Sequence, residues 1–345
     1  MRITLSSDNH LGTRRQAHTT RESSERLRQM LYTQSMVATQ GPLNRQYNLG
    51  DLLDRATNDE KTLLQAYEIG KRYRAVIAGN HDETNREGTV TTLRALAHVG
   101  VPVICSPDLS TPYFEQVDTY LFFVPHHASQ ELFMQALQEA SEAAAQCDHP
   151  TYLMLHCNYD WPGVNPLEDN TLNLSAEDAG TLLETFNRIF IGHEHNSKTA
   201  FNDRLVLVGN LFPTSFSDIG DKFIWHLDTE EDTLEKECIC SESTIYREVK
   251  YGEPLPDLTG VKFVDVVGAT SAENSVDVAM FVRNIWNNDN DQLLAVRNKV
   301  ELNDGLHTVE SVSDQPTLVD LSGRIREDLK SSDLLPLYDR LATQA

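Results

Sequence analysis

Cysteine is scarce in this sequence and is not arranged in pairs. Five cysteines stand among 345 residues, at positions 105, 147, 157, 238 and 240, and no two have CxxC spacing. An odd number without that spacing argues against a disulfide framework, so a reducing cytoplasm is the expected compartment. Cys238 and Cys240 are interpreted as part of a strand with a buried thiol, because a metal site would need further ligands.

Long apolar runs, internal repeats and low-complexity tracts are also missing. No run approaches the roughly 18 apolar residues that a membrane-spanning helix needs. Residues 1–6 have the pattern of a strand, which a signal peptide would not have. The composition, 40% hydrophobic and 23% charged, is ordinary for a globular protein, and the length leaves room for one large domain and a smaller one.

Positively charged residues are also few relative to negatively charged ones. The formal net charge is −23, which argues against a protein that coats DNA with its own Lys and Arg side chains. The deficit is uneven: residues 1–100 hold 14 Lys/Arg against 11 Asp/Glu, residues 101–200 hold 2 against 14, and residues 201–345 hold 13 against 27. The basic residues of the first third form either a solvated surface or part of a nucleic-acid path. They include Arg14, Arg15, Arg21, Arg26, Arg28, Lys71, Arg72 and Arg74.

Short apolar runs alternate with helical patterns over the first 230 residues. Strands are predicted at 2–6, 74–78, 101–104, 119–124, 151–155, 188–191, 205–209 and 222–227, and helices at 22–39, 59–71, 89–98, 129–146 and 176–186. This alternation favours an α/β fold, a sheet with helices on both faces. Segment 44–49 is mostly polar, but it is predicted as a strand because of the motif that follows it.

Five polar motifs come directly after predicted strands. They are Asp8-Asn9-His10, the GDLLD sequence at 50–54, Gly79-Asn80-His81-Asp82, His156, and Gly192-His193-Glu194-His195. Because the carboxyl ends of strands joined by crossover helices share one edge of a sheet, we expect the five motifs to converge. Each motif alone has an ordinary explanation, such as a helix cap or a buried histidine. The order and spacing of all five motifs have no such explanation. His126 and His127 are weaker candidates for the same edge.

The residue types of these motifs suit a pair of divalent cations. Carboxylates, amide oxygens and neutral imidazoles are ligands for Mn²⁺, Fe²⁺ or Zn²⁺. One carboxylate can bridge two ions about 3.5–4 Å apart, and such a pair polarises a phosphoryl group and lowers the pKa of a bound water. The glycines at 50, 79 and 192 permit tight turns just before a ligand.

In these motifs the sequence resembles the calcineurin-like metallophosphoesterases, whose pattern is DxH, GDxx(D/H), GNH(D/E), H and GHxH. It is most similar to the SbcD-type nuclease subunit and its bacteriophage recombination-nuclease counterparts. The similarity lies in DNHLG at 8–12 and in the stretch 206–216, which continues into 222–228. It is strong over residues 1–230 and weak beyond them.

The resemblance implies a sandwich of mixed sheets flanked by helices, and a metal-dependent DNA nuclease of recombination, repair or DNA-end processing. The expected place is a bacterial or phage-infected host cytoplasm. Two metal ions are implied, with Mn²⁺ expected and Mg²⁺, Fe²⁺ or Zn²⁺ as alternatives. One ion would be held by Asp8, His10 and His195, the other by Asn80, His156 and His193, with Asp51 as the bridge.

Two further roles follow from the same resemblance. His81 is implied as a proton donor near the leaving oxygen, not as a metal ligand. Asp54 stands where many cellular nucleases of this branch carry histidine. This difference bears on how the scissile strand is held and not on the metal centre. Either Asp54 or Asp82 could orient neighbouring groups.

The domain predictions are a phosphoesterase domain at 1–240, a small α+β capping domain at 241–303, and a linker with a helical tail at 304–345. In the capping domain we expect strands at 261–269 and 292–302 and a helix at 276–287. The Leu-rich segment 316–342 either packs on its own domain or, as the resemblance implies, docks an SMC-like coiled-coil ATPase. The expected assembly is a homodimer within a hetero-oligomer that acts on DNA.

Two other functions stay open. One is a metallophosphatase acting on phosphoproteins or nucleotides, because GDLLDR at 50–55 resembles a protein-phosphatase motif whose arginine holds phosphate. Against it, Asp82 stands where those enzymes have Glu. The other is a non-catalytic binding protein that has kept the fold, against which the complete ligand set argues.

Overall fold

The computed structural model describes residues 1–13, 19–42, 45–84, 89–106, 113–116, 119–161, 172–287 and 290–303. Arg14, Arg15 and the tail 304–345 lie outside the described residues, so the docking of an ATPase on segment 316–342 stays a prediction. The helices are α1 Arg21–Ala38, α2 Glu60–Gly70, α3 Thr92–His98, α4 Gln130–Ala144, α5 Ala176–Leu182, α6 Glu242–Ile245 and α7 Ser275–Trp286.

The strands lie between these helices in an order close to the predicted one. They are β1 Arg2–Ser6, β2 Gln46–Asn48, β3 Ala75–Ile77, β4 Val103–Ile104, β5 Tyr113–Gln116, β6 Tyr120–Val124, β7 Thr151–His156, β8 Asn158–Asp160, β9 Asn173–Ser175, β10 Arg188–Gly192, β11 Lys198–Ala200, β12 Leu205–Leu207, β13 Lys222–Asp228, β14 Thr233–Cys240, β15 Tyr246–Lys250, β16 Phe263–Ser271 and β17 Ala295–Asn303.

Two six-stranded mixed sheets form the body of the described chain. The first has the order β14-β13-β1-β2-β3-β4 and the second β11-β12-β10-β7-β6-β5. In each sheet the central strands are parallel, β1 to β4 in the first and β6, β7, β10 and β12 in the second, whereas outer strands such as β13 and β11 run antiparallel. Parallel pairing of β1, β2 and β3 brings their carboxyl ends to one edge.

The core between the two sheets consists of alternate side chains from both. Leu5 and Tyr47 from the first sheet meet Phe123, Tyr152 and Phe190 from the second, and all are fully buried. Each strand's other face packs on helices, α2 and α3 on the first sheet and α4 and α5 on the second. The α/β sandwich of mixed sheets flanked by helices is therefore confirmed.

The simpler expectation from alternation alone, one sheet with helices on both faces, is wrong. Among the described elements, each sheet carries helices on its outer face only and presents its inner face to the other sheet. The sequence pattern could not separate the two arrangements, since a central strand is apolar on both faces whether it packs on helices or on another sheet.

The polar strand predicted at 44–49 is present as β2, and its burial has a local explanation. Asn48 is fully buried, and its side-chain amide donates to Asn9 Oδ1 at 2.7 Å and accepts from the Gly50 N–H at 3.2 Å. The Asn9 amide in turn donates to Ser35 Oγ of α1 at 2.7 Å. A polar network whose members are partnered can replace apolar packing in a core strand.

A third, all-parallel sheet follows the two large ones, with the order β15-β16-β17. It corresponds to the strands predicted at 261–269 and 292–302, with β15 as an element that the sequence did not indicate. Helix α7 packs on this sheet through Ile285. On the other side Phe263 and Leu294 meet Leu27 and Leu31 of α1, which joins the third sheet to the body. Among the described residues, no helix combines the length and the apolar character needed to cross a membrane.

Candidate metal centre

The five polar motifs meet at the carboxyl ends of strands from both large sheets. In the first sheet β1, β2 and β3 lead into Asp8, Asp51 and Asn80, and in the second β7 and β10 lead into His156 and His193. The structure brings all eight predicted site residues together there: Asp8, His10, Asp51, Asn80, His81, His156, His193 and His195.

Hydrogen bonds between the loops fix this edge. The main-chain N–H of His193 donates to Asp8 Oδ2 at 3.0 Å, and the ring of His156 donates to the Leu49 carbonyl at 2.7 Å. Both bonds cross from one large sheet to the other. The N–H of Asp8 donates to the Gly50 carbonyl at 3.0 Å, which joins the loops after β1 and β2.

Asp8, His10 and His195 form a first group that could hold a cation, with ligand atoms within 4.8 Å of one another. Nε2 of His10 lies 2.9 Å from Nε2 of His195 and 3.8 Å from Asp8 Oδ1. Asp8 is fully buried, and its Oδ1 has no hydrogen-bond partner in the described part of the chain. Because a buried carboxylate oxygen without a donor is costly, this group fits a divalent cation.

Asn80, His156 and His193 form a second group beside the first. Asn80 Oδ1 lies 3.0 Å from His156 Nε2 and 3.0 Å from His193 Nδ1. The ligand atoms of His156 and His193 also lie within 4.8 Å of an Asp51 oxygen. An amide oxygen, a carboxylate and two imidazole nitrogens at such spacing fit a second divalent cation.

Asp51 lies between the two groups. Its Oδ2 is 3.9 Å from His10 Nε2 and 3.4 Å from His156 Nε2. Its other oxygen accepts a hydrogen bond from the main-chain N–H of His81 at 2.9 Å, which fixes the carboxylate plane. A single carboxylate oxygen that faces a nitrogen from each group is placed as a bridging ligand would be.

His81 stands at the exposed rim of the cluster. Its ring packs edge-on against His10, with 5.0 Å between centroids, and its Nδ1 donates to the Asp54 carbonyl at 2.9 Å. With His10 and Asp51 it forms a third group of possible ligands within 4.8 Å. Since a carbonyl only accepts, the proton sits on Nδ1, and Nε2 is the nitrogen left for a metal ion or a substrate.

Besides His81, three histidines of the cluster have Nδ1 directed at an oxygen that belongs to none of the ligand groups. The partner is the Leu49 carbonyl for His156, at 2.7 Å, and the Asp218 carboxylate for His195, at 2.9 Å. His10 Nδ1 lies 3.5 Å from Asp54 Oδ1. The hydrogen bonds of His156 and His195 leave Nε2 as the nitrogen that faces the cluster, as in histidines that ligate metals.

The electrostatics of the cluster hold the bridge ionised and leave its rings in different protonation states. Burial would lower the pKa of His156, but the neighbouring Asp51 raises it to about 9. Burial alone would raise the pKa of Asp51, but the neighbouring His156, His10 and His81 outweigh it and hold that pKa below its usual range. Burial and the nearby His156 lower the pKa of His193 to about 4. An anionic carboxylate beside a neutral imidazole is the protonation state in which both can ligate a cation.

Backbone strain is concentrated in the same loops. Asp8, His10, Asp51 and His193 have φ values of 54°, 46°, 51° and 102°, in the left-handed region that non-glycine residues seldom enter. Each such residue costs on the order of 1–3 kcal/mol and persists only where its surroundings hold it. The backbone conformation that orients these side chains therefore lowers the stability of the fold.

Gly79 is required because the loops after β2 and β3 approach closely. A Cβ at Gly79 would lie 2.1 Å from Asp51 Oδ1 and 2.4 Å from the Asp51 main-chain nitrogen. Similar approaches occur at Gly50 and Gly192, where a Cβ would meet the His156 ring and the Leu49 carbonyl.

We therefore expect Gly79→Ala to displace Asp51, to lower the free energy of unfolding by about 1–3 kcal/mol, and to weaken metal binding. Gly180→Ala is the matched control, because its Cβ would meet only a Phe201 ring carbon at 3.8 Å in helix α5. The control should gain about 0.5–1 kcal/mol, the usual benefit of alanine within a helix. Urea denaturation with and without Mn²⁺ measures both, and equal stabilities in the two variants would contradict the close approach.

Asp54 and Asp82 support the cluster without being among its proposed ligands. Asp54 Oδ1 accepts from Thr13 Oγ1 at 2.8 Å and lies near His10. Asp82 is fully buried and accepts from the N–H groups of Leu53 at 2.9 Å and Gly79 at 3.0 Å. Asp82 thus joins the two loops that carry Asp51 and Asn80.

Asp218 is a residue of the site that the sequence did not indicate. It lies 23 positions after His195, in a loop of Ser, Thr and Phe, and no spacing rule connects the two. The Phe-Pro-Thr-Ser-Phe-Ser-Asp sequence at 212–218 is itself unusual for an exposed loop, because it contains two aromatic residues. That composition, together with the resemblance noted for 206–216, is the signal that could have indicated a buried loop.

The weaker candidates from the sequence belong to none of the ligand groups found in the described residues. Burial and the nearby His156 lower the pKa of His126 to about 4, but His126 belongs to none of the ligand groups found in the described residues. Cys238 and Cys240 are likewise in no such group, and Cys238 is exposed on β14, contrary to a buried thiol there, whereas Cys240 is partly buried. Arg28 is mostly buried and paired with Asp59 at 2.9 Å, so it stabilises the helices and is not available to a nucleic acid.

Comparisons with known proteins found their matches among solved structures. No family model matches the chain, and no curated protein matches it. Among solved structures, a Staphylococcus aureus protein named as a 5′-nucleotidase, in complex with alpha-ketoglutarate, has a TM-score of 0.41 and 13% identity over 69% of this chain. An archaeal phosphodiesterase has a TM-score of 0.34 and 12% identity, also over 69% of this chain. The chain spans about half, 52%, of the nucleotidase chain and 99% of the phosphodiesterase.

Proposed function

We propose that this chain is a two-metal phosphoesterase that hydrolyses phosphodiester bonds in DNA. The observation that carries the hydrolase proposal is the position of Asp51. One of its oxygens lies 3.9 Å from a nitrogen of the first ligand group and 3.4 Å from a nitrogen of the second. Two cation sites that share a carboxylate are suited to a phosphoryl group, which offers several oxygens to both ions.

In this proposal Asp8, His10 and His195 hold one ion, Asn80, His156 and His193 the other, and Asp51 both. When bound, the ions supply charge that polarises the phosphoryl oxygens and lowers the pKa of a bound water. The identity of the metal is part of the proposal, with Mn²⁺ expected. The protein's own contribution is the fixed orientation of these ligands, through the hydrogen bonds of His156 to Leu49 and of His195 to Asp218, and through the Asp54 carboxylate 3.5 Å from His10 Nδ1.

His81 is proposed to exchange a proton with the leaving oxygen. Its Nδ1 is bound to the Asp54 carbonyl at 2.9 Å, so Nε2 is the atom that would carry the proton. The residue is exposed at the rim, where a substrate can reach it, whereas His10 beside it is only 1% exposed. This placement suits a general acid better than a buried ligand.

DNA as the substrate is supported by the sequence resemblance in residues 8–12 and 206–216. In this proposal the third sheet, β15 to β17, takes the place of the capping domain that the resemblance implies. The net charge of −23 speaks against tight binding of duplex by this chain alone. A partner ATPase that holds the DNA, docked on segment 316–342, is therefore part of the proposal, as are a homodimer within that assembly and action in the cytoplasm.

The substrate proposal predicts that, with Mn²⁺, the chain degrades linear DNA and cleaves bis(p-nitrophenyl) phosphate faster than p-nitrophenyl phosphate. The preference follows from the proposed substrate class: DNA is a phosphodiester, and a monoester lacks the second esterified group that a DNA nuclease binds. Release of acid-soluble nucleotides and of nitrophenolate measures the two activities. Asp51→Asn is the control for contaminating nucleases, and a preference for the monoester without DNA cleavage would contradict the proposal.

A phosphatase or phosphodiesterase of phosphoproteins or nucleotides is the second candidate. It is favoured by Arg55, which is exposed directly after Asp54, with its Nε 3.8 Å from an Asp54 oxygen. An exposed guanidinium at the rim could hold a terminal phosphate. This candidate would be favoured if the chain released phosphate from nucleoside monophosphates and did not cleave DNA. The rate of phosphate release should then fall in Arg55→Ala.

A further inference from the structure

His195 is held at two points by a single loop. Its ring Nδ1 donates to Asp218 Oδ2 at 2.9 Å, and its main-chain carbonyl accepts from the Lys222 ammonium at 3.1 Å and from the Asn210 N–H at 3.2 Å. Asp218 is 3% exposed and Lys222 is 1% exposed. Both ends of one proposed metal ligand are thus fixed by the segment 210–222.

Asp218 is itself fixed by that segment. Its Oδ2 also accepts from Asn210 Nδ2 at 2.8 Å and from the N–H and hydroxyl of Thr214 at 3.0 and 3.1 Å. Its Oδ1 accepts from the N–H and hydroxyl of Ser215 at 2.7 and 2.9 Å. A carboxylate with this many donors is held in one orientation, and so is the imidazole that it contacts.

The donors Thr214 and Ser215 lie between two aromatic anchors, Phe212 and Phe216. Both rings pack on Phe263 of β16, with centroid distances of 6.3 and 5.6 Å. The Arg297 guanidinium of β17 lies 4.2 Å from the Phe216 ring centre. The loop that orients His195 is therefore fastened to the third sheet.

We propose that Asp218 is a positioning residue for His195, and that packing of Phe212 and Phe216 on the third sheet keeps it in place. Affinity for the ion held by Asp8, His10 and His195 then depends on contacts that lie outside the two large sheets. The ion held by Asn80, His156 and His193 does not depend on them. This inference rests on the proposed metal centre and adds a link between one of its two ions and the third sheet.

Equilibrium dialysis against Mn²⁺ with metal analysis tests the proposal on the full chain. Asp218→Ala is expected to weaken one of two bound ions by about 10–100-fold, the usual effect of losing the partner of a ligating histidine, and to leave the other unchanged. Phe216→Ala should weaken the same ion by a smaller factor. Asp221→Asn is the matched control, because Asp221 caps Ser241 and Glu242 and contacts no proposed ligand.

The outcomes separate the parts of the proposal. Two ions bound with unchanged affinity in Asp218→Ala would overturn the positioning role. An effect in Asp218→Ala without one in Phe216→Ala would overturn the link to the third sheet. Equal weakening of both ions, with a lower melting temperature, would show a general structural role and overturn the selectivity.

If Asp218→Ala does not fold, Asp218→Asn decides, since it keeps the shape and removes the charge. It should still weaken only the one ion, and unchanged binding of both would overturn the positioning role. A wild-type chain that binds two Mn²⁺ ions without any phosphoesterase activity would refute the proposed function and leave this inference intact. A wild-type chain that binds no Mn²⁺ would refute both.

Discussion

Asp51→Asn is expected to abolish hydrolysis and to lower the number of bound metal ions below two. The side chain is 1% exposed, and one of its oxygens faces a histidine nitrogen of each ligand group. Asparagine has nearly the same shape but lacks the negative charge, and its NH₂ group cannot ligate a cation. A single substitution would thus disturb both ions, and we expect a loss of about 10³-fold or more in kcat, roughly 4 kcal/mol or more of barrier.

The backbone offers a matched control for this substitution. Asp51 has a φ of 51°, and Asp203, exposed in the turn before β12, has a φ of 62°. Asparagine tolerates this region about as well as aspartate does, so Asp203→Asn tests the same exchange in the same conformation away from the cluster. Metal analysis and steady-state kinetics on both variants measure the effect. Wild-type activity with two bound ions in Asp51→Asn would contradict the bridging role.

The strand-end motifs were predictable because their physical signal is local. A run such as 188–191, Arg-Ile-Phe-Ile, followed by Gly-His-Glu-His, contains both the strand and the ligands at its end. Parallel pairing then brings distant motifs together without any further information from the sequence. Within the first sheet this explains why Asp8, Asp51 and Asn80 meet. Asp8 and His193, 185 positions apart, lie in different sheets, and the packing of the two sheets lets one hydrogen bond join them.

The groups that hold the ligands were harder to predict, because their partners are set by tertiary packing. Asp218 depends on the fold of a loop against Phe263, and the partner of His156 is the main-chain carbonyl of Leu49, which no sequence pattern identifies. The sequence offers Asp54 as one of two possible orienting groups, and the structure places it 3.5 Å from His10 Nδ1. The presence of two sheets was also invisible to periodicity, since inner and outer faces are equally apolar.

His81→Ala is expected to lower kcat on DNA by about 10²–10⁴-fold, the usual size of a general-acid effect, while both metal ions remain bound. The Asp51 carboxylate should keep its place, because it is held by the main-chain N–H of residue 81, which the substitution preserves. His98→Ala is the matched control. His98 is also exposed, and its Nδ1 likewise donates to a main-chain carbonyl, that of Arg94, at 2.9 Å.

The leaving group distinguishes a proton donor from a metal ligand at position 81. The third ligand group, His10 with Asp51 and His81, makes ligation a real alternative. A proton donor matters when the leaving oxygen is a poor one, such as a deoxyribose hydroxyl, and matters little for nitrophenolate, which leaves without a proton. We therefore expect the deficit of His81→Ala to shrink to within about tenfold on a nitrophenyl ester of thymidine monophosphate. A ligand would behave differently: its loss would remove a metal ion and slow both substrates alike, and that result would assign His81 to the metal centre.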